Sequence, residues 1–489
     1  KLMKIQCRIE ENKAVDRVEA LTDKAICLLY KEALELTVPV QAEISLKNLY
    51  LSIDELNIVL EYRFYNSEKN IGSLEEILEY LDNPRFSLAA KSMLYPKAVV
   101  YMYRLMVKNG IESGIIDGTN KETGNKMYKY CEKALSILQE KAVRYYYTEI
   151  LEIRKTLLVA GYGDGDRENM LIHTDEWLAA IHSLCNKHGV WEYTTNNCYF
   201  YKENSVYNIG TVVNIRRKML GMTMKDLYEG ICSEKTLRNL EHNRAGTHRD
   251  IAEELLGRLG LPAGYHRMGI ITDKRETIEL YTQWKRLSRE FKFAECREIM
   301  NELEKQLSSN IVNRQFVEWG KNIVAYELKE LDYITYIEKM SDCLGITIRI
   351  EDILSSENIY LSYIENEILY QISAKYKYNG DESSAFKYIE PIYRKLKEYT
   401  DIEIQENIKD YEFYMTFAAS ILGSLGKYVE SNIISNKIIR AQLQYGRIAG
   451  INCNLSSMAW NQNKVDENKK VYNEQLYQCI LWSQMSNDR

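Results

Sequence analysis

Slid along itself by 310 residues, the chain lies over itself without a gap, Leu34–Ile58 falling on Leu344–Ile368. Nine of these 25 positions are identical: Leu34/Leu344, Thr37/Thr347, Ser45/Ser355, Asn48/Asn358, Tyr50/Tyr360, Leu51/Leu361, Ser52/Ser362, Glu55/Glu365 and Ile58/Ile368. Any two amphipathic helices share apolar periodicity, which accounts for the matched Leu and Ile but not for the matched Thr, Asn, Ser and Glu. We read a duplication. Repeated units of this kind bury their apolar faces on one another, so the fold is limited to stacked units and whatever is inserted between the copies.

Composition narrows the units to helices. Five Pro and 24 Gly in 489 residues are too few for the closely spaced turns of a β-sandwich or barrel. With 45% hydrophobic and 27% charged residues the chain can bury a large core, and its length calls for two to four domains. The 64 Lys and Arg against 70 Asp and Glu give a net charge of −6, which excludes a globally basic nucleic-acid coat but not a local basic face. No window approaches the roughly 18 to 20 apolar residues needed to span a bilayer, and the polar start, Lys1 to Lys13, has no apolar signal segment. Ten scattered Cys without a CxxC pair suit a reducing compartment. The expectation is a soluble cytoplasmic protein with no membrane partner.

The second copy runs into a helical hairpin. Leu369, Ile372, Ser373, Tyr376, Ala385, Ile389 and Ile392 stand at spacings that resemble the packing positions of a tetratricopeptide repeat, with Asn379-Gly380-Asp381 at the turn. Small residues such as Ser373 and Ala385 let two helices approach, and the large ones fill the seam. Ala419, Gly426, Tyr428 and Ser431 mark a second, weaker unit. Amphipathic stretches at Cys296–Leu307, Phe316–Leu331 and Ile433–Leu443 extend the array. Between the copies, Val190–Tyr201 is rich in β-branched and aromatic residues around Asn196-Asn197, a short hairpin or a packed connector.

Residues 206–268 carry the clearest chemistry. Their punctuation predicts five short helices. Ile209–Leu220 ends at Gly221. A second helix is capped by Thr223, with Asp226 at the capping-box position, and ends at Gly230. Ser233 caps Glu234–Glu241, the fourth helix is Asp250–Leu259, and a fifth begins past Pro262. Val213, Ile215, Leu220, Leu227, Ile231, Leu237, Leu240, Ile251, Leu255 and Leu259 supply a shared core. Residues 211–268 hold ten Lys and Arg against seven Asp and Glu, so this segment is locally basic on an acidic chain. On the third helix Glu234, Lys235, Arg238 and Asn239 project from one face. Arg can read guanine and Asn adenine in the major groove, each worth about 1–3 kcal/mol of discrimination.

This segment resembles the Xre/Cro-type helix-turn-helix family, with Arg217, Gly221, Thr223, Leu227, Gly230, Ser233, Thr236, Leu237, Leu240 and Glu241 in register with its pattern. With tetratricopeptide-like helices behind it, the whole resembles the peptide-responsive RRNPP regulators of Gram-positive bacteria. The resemblance implies double-stranded DNA as a partner, a short signalling peptide bound in the helical array, and a homodimer with paired DNA-binding heads. It places DNA contacts at Arg217, Thr223, Lys225, Ser233, Glu234, Lys235, Thr236, Arg238, Asn239, Asn243 and Arg244. Four departures stand out: Met224 replaces a phosphate-binding Gln, Tyr228 a small Ala, Arg238-Asn239 a Ser-Arg, and Asn243 the Gly that follows the recognition helix. These also fit a second reading, an interaction scaffold whose helix-turn-helix no longer binds DNA. In the resembling regulators the DNA-binding domain is N-terminal, whereas here about 200 residues precede it, and the expectation is that an N-terminal stretch precedes Lys1.

The expected architecture is all-α: a helical-repeat domain over 1–189, a connector over 190–205, a central five-helix helix-turn-helix over 206–268, and a tetratricopeptide-like array over 269–489. A peptide in the groove of that array needs side chains that both donate and accept, and by position Asn322, Tyr326, Asn366, Asn407 and Tyr414 are the candidates. No nucleophile–base pair, GxSxG or HExxH motif points to an enzyme, and no cofactor is implied. His182, Cys185 and His188, with Cys198 ten residues later, offer four soft ligands, but the first three, at i, i+3 and i+6, spread too broadly round a helix to close on one zinc, so no metal is expected. Gly161–Glu168 lacks the Lys-Ser/Thr of a P-loop and the full spacing of a calcium loop, and reads as a turn between helices.

Overall fold

The computed structural model describes residues 22–37, 46, 51–66, 71–163, 165–193, 209–262, 269–272, 274–466 and 469–487. Among these the fold is all-α. Helices run from Asp23–Thr37 to Lys469–Ser486, and the β-type pairing recorded is one isolated bridge, Val143 with Arg447. The hairpin or connector read at Val190–Tyr201 lies outside the described residues from position 194 on, as does the fifth helix past Pro262 over 263–268.

The chain forms two compact units, one of residues 1–203 with 435–489, the other of residues 204–434. The sequence-based span 269–489 is therefore divided, and its last stretch belongs to the first unit. Fully buried Arg144 supplies much of the reason. Its guanidinium donates to the carbonyls of Trp191 (3.1 Å), Glu192 (2.7 Å) and Leu443 (2.7 Å). Beside it the Arg144 N–H donates to the Gly446 carbonyl (2.8 Å) and the Ile448 N–H to that of Ala142 (3.0 Å). A buried guanidinium needs acceptors for its donors, and here carbonyls distant in sequence provide them. Leu443, Ile448, Ile451 and the fully buried Trp482 complete one core with Leu60, Leu94, Leu138 and Ile150.

The duplication is visible in the caps. Ser52 and Glu55 form a capping box at the start of Ile53–Tyr65, and Ser362 with Glu365 forms the same box at the start of Tyr363–Tyr378, so both copies open a helix in the same register. Leu34/Leu344 and Ile58/Ile368 are buried in both copies. Residues 38–45 and 47–50 of the first copy lie outside the described residues.

In the second unit the repeat seams follow the small residues. Ser373 and Ala385 are fully buried where Tyr363–Tyr378 meets Glu382–Lys397, and the Ser373 hydroxyl donates to the Ala385 carbonyl (2.6 Å). The next hairpin exchanges the roles: Ser431 donates to the Ala419 carbonyl (2.7 Å). At the first turn Gly380 adopts φ +79°, a left-handed conformation that favours glycine, and Asp381 caps the following helix by accepting from the Ser384 N–H (3.0 Å). Earlier in the array Trp284, Phe316 and Trp319 pack ring to ring at 5.4–6.0 Å.

Candidate nucleic-acid interface

Four helices of the second unit build the predicted motif: Ile209–Met219, Met224–Tyr228, Glu234–Glu241 and Arg249–Arg258. The caps stand where the sequence puts them. Thr223 and Asp226 form a reciprocal box, the Thr223 N–H donating to the Asp226 carboxylate (2.8 Å) and the Asp226 N–H to the Thr223 hydroxyl (3.2 Å). The Thr223 hydroxyl, which also donates to the Asp226 carboxylate (2.7 Å), and then the Thr223 N–H hold that carboxyl below its ordinary pKa. Ser233 accepts from the Thr236 N–H (3.1 Å) and starts the third helix. Leu237 and Leu240 are buried beneath it with Val213, Leu227, Leu255 and Leu259, whereas Ile215, Leu220, Ile231 and Ile251 pack at the edge.

First and third helices cross at Gly210. A Cβ there would stand 1.8 Å from the Leu240 carbonyl oxygen, so the approach depends on glycine. Arg217, expected to contact DNA, is held inside the motif. Its guanidinium makes a two-armed pair with the buried carboxylate of Glu241 (2.6 and 2.8 Å) and donates to the Met222 carbonyl (2.9 Å), tying the end of the first helix to the end of the third. Glu241 pushes the Arg217 pKa up from its ordinary value, by hydrogen bonding first and by charge second. Arg258 closes the short second helix by donating to the carbonyls of Asp226, Leu227 and Glu229 (3.3, 3.1 and 2.6 Å).

The outer face of Glu234–Glu241 is exposed. Arg238 lies along the helix against Glu234, while Lys235 and, in the following loop, Arg244 form no ion pair with a described residue. Asn239 is half-buried beside Arg238. Lys225 is exposed, 3.8 Å from Glu229. Thr236 is half-buried with its hydroxyl 2.8 Å from that of Ser233. Asn243 takes the left-handed conformation (φ +54°) required where the family has Gly, and its amide donates to Thr211 (3.3 Å). Met224 and Tyr228, the two departures at the second helix, are half-buried against the motif's core.

Sequence reasoning missed how this motif is seated within its unit. Arg216, next to the exposed-looking Arg217, is fully buried. It pairs in two-armed fashion with the fully buried Glu365 (3.1 Å on one arm) and also donates to the carbonyls of Leu259 (3.1 Å) and Tyr360 (3.2 Å). Glu365 further accepts from Thr347 (2.6 Å), whose hydroxyl receives the Gln315 amide (2.7 Å). Tyr360 joins the motif's own core, and its N–H donates to Met219 Sδ (3.2 Å). The one available signal was that Arg216 shares the apolar side of its helix with Val212, Val213 and Met219.

Of the five ligand candidates, Asn366, Asn407 and Tyr414 line one cavity. Asn407 donates to the Glu403 carbonyl (3.0 Å) and Tyr414 to the Glu367 carboxylate (3.1 Å). Asn322 and Tyr326 lie elsewhere in helix–helix contacts: the Asn322 amide on the Lys339 carbonyl (3.3 Å), the Tyr326 ring 4.5 Å from Tyr336 and 3.9 Å beneath the Lys375 ammonium.

The remaining constellations have other occupations. His182 meets Glu192 (2.9 Å) and Asn186 (2.9 Å), and Cys185 accepts from Arg144 (3.4 Å). Burial, helped by Lys187 and Arg440, lowers His188 to about 4. Cys198 lies outside the described residues, among which no three His, Cys, Asp or Glu could hold a metal ion. Gly161–Glu168, of which position 164 lies outside the described residues, connects Tyr147–Val159 to Arg167–His188, with Asp166 capping the second helix. No helix among the described residues is long and apolar enough to cross a membrane.

No protein-family model matches this chain, and no curated protein matches it. Among solved structures, it is similar to the crystal structure of Bacillus thuringiensis PlcR in complex with the peptide PapR7 and DNA. The two are 19% identical over 58% of this chain and 96% of that one, with a TM-score of 0.36.

Proposed function

We propose that this chain is a sequence-specific, DNA-binding transcription regulator that acts as a homodimer and is controlled by a peptide or other small ligand bound in its helical array. The observation that carries the reading is the helix Glu234–Glu241, capped by Ser233, pinned from behind by Leu237 and Leu240, and presenting Lys235, Arg238 and Asn239 outward. A helix held this way offers its N-terminal turn to phosphate and its long polar side chains to base edges. Paired heads read two half-sites about one DNA turn apart. A ligand acts only by favouring one arrangement of the heads over another.

The test is selection from a randomised duplex pool with the full chain at two salt concentrations. Enrichment of an inverted repeat, with affinity falling steeply as salt rises, is the expected result. A second reading is favoured by Met224, which turns onto the core where the family places a phosphate-binding Gln. On that reading the chain is an interaction scaffold, and no sequence is enriched at either salt concentration.

A further inference from the structure

Where helices Tyr363–Tyr378, Glu382–Lys397 and Ile408–Ser424 converge, a cavity of about 50 Å³ is walled by Tyr360, Asn366, Lys395, Asn407, Asp410 and Tyr414, among others. Two of its donors are not consumed by the fold. Lys395 makes no hydrogen bond or ion pair with a described residue; its ammonium rests 5.2 Å from the centre of the Tyr360 ring. The Asn366 carboxamide likewise has no hydrogen-bond partner among the described residues. Both residues are half-buried and not wholly enclosed, so a group entering the cavity can remain attached to a larger body outside. Burial has already pulled the Lys395 ammonium down to about 8, against the opposing pull of Asp410 and Glu403. A charge placed there without a contacting counter-charge gains from an incoming anion.

Size and charge define that anion. An apolar cavity of about 150 Å³ admits a benzene ring. A third of that volume fits a head of a few heavy atoms. Asp410 on the same wall disfavours a dianion, so a singly charged carboxylate suits the site better than phosphate. The wall also reaches the helix-turn-helix, because Tyr360 belongs to that motif's core and holds Arg216 through its carbonyl.

We infer that this cavity is a carboxylate-binding subsite, with Lys395 and Asn366 as the donors and Tyr360 passing its occupancy to the first helix of the DNA-binding motif. The inference gives a chemical class to the ligand of the regulator proposed above and rests on that reading only for its regulatory meaning. The carboxylate can belong to a free organic acid or to the C-terminus of a short peptide.

The full chain is titrated calorimetrically with hexanoate, with short N-acetylated apolar peptides ending in a free carboxylate, with the same peptides as C-terminal amides, and with inorganic phosphate. Saturable binding of a free carboxylate is expected, by hexanoate if a small acid suffices and by the peptide acids alone if a chain terminus is needed. Amides, and the Lys395→Met variant, should bind about tenfold more weakly or worse. Lys395→Met keeps the length and loses no ion pair, and a melting curve confirms that it folds. In the same samples, hydrogen exchange over residues 209–219 should change on binding in the wild type and not in the variant. The subsite is overturned if no carboxylate binds up to about 10 mM, if amides, phosphate or Lys395→Met bind equally well, or if Asn366→Leu leaves affinity untouched. Binding without any change over 209–219 overturns the relay. Neither readout uses DNA, so failure here is distinct from failure to find a binding site on DNA.

Discussion

Arg216 and Glu365 meet with both side chains closed off from solvent, joining the first helix of the helix-turn-helix to the capped start of a repeat helix in the same unit. Taking two charges out of water is costly, and the cost is offset by further hydrogen bonds, from Arg216 to the Leu259 and Tyr360 carbonyls and from the Thr347 hydroxyl and the Ser362 N–H (2.8 Å) to Glu365. Removing one partner strands the other. Arg216→Met and Glu365→Gln should each destabilise the second unit by about 3–5 kcal/mol, and the double variant by clearly less than the sum. Urea melts of the four proteins check this, and additive losses would mean that the two residues act separately.

Arg217 is expected to behave as a framework residue. Its loss leaves buried Glu241 without its cation, so Arg217→Ala should cost about 2–4 kcal/mol of stability. Arg217→Lys should recover little, because an ammonium cannot supply two parallel hydrogen bonds. Melting midpoints decide the matter: an unchanged midpoint with weakened DNA binding would return Arg217 to the interface.

On the recognition helix, Arg238→Ala should relax sequence preference at one base pair, at about 1–3 kcal/mol. Lys235→Ala should weaken binding, across all sequences if it meets phosphate and at one base if it reads an edge. Glu234→Ala releases Arg238 from its intrahelical partner and removes a negative charge facing phosphate, so it should tighten non-specific binding. Fluorescence anisotropy with the selected duplex and a scrambled one measures all three. Wild-type behaviour from every variant would dispose of this helix as the reader.

Glu367 makes stability depend on pH. Burial pushes its carboxyl up to about 7, with Asp410 adding to the rise and the Tyr414 hydroxyl opposing it. Between the ordinary carboxylate range and pH 7 the folded chain keeps a proton that the unfolded chain releases, so this group's contribution falls as pH rises through that window. Glu367→Gln should flatten the fall, and the variant should gain stability relative to wild type at pH 7.5 but not at pH 5. Melts at the two pH values test the sign.

Much of the helix-turn-helix was legible because its signals are local. A cap, a box and a glycine act within four residues, so Thr223/Asp226, Ser233 and Asn243 fell where the sequence put them. The seam residues Ser373/Ala385 and Ala419/Ser431 were legible for a related reason: two helices can cross closely only where side chains are small. The clamp on Arg217 was not legible, because an exposed cation and a paired one look alike until the position of Glu241 in space is known. Asn322 and Tyr326 were named as ligand candidates by position alone, and their contacts with the Lys339 carbonyl and the Tyr336 ring could not be read from the sequence.

The sequence by itself determined an all-α chain, a duplicated segment that opens a helix with the same capping box twice, and the four described helices of the central motif. These follow from periodicity and short-range hydrogen bonding, which are written within a few residues. Tertiary structure alone decided that Arg216 would be buried on Glu365, that Tyr360 would lie between a cavity and the core of the central four-helix motif, and that residues 435–489 would close the first unit through Arg144. Each depends on a buried donor finding acceptors far away in sequence, and a linear pattern does not carry that choice.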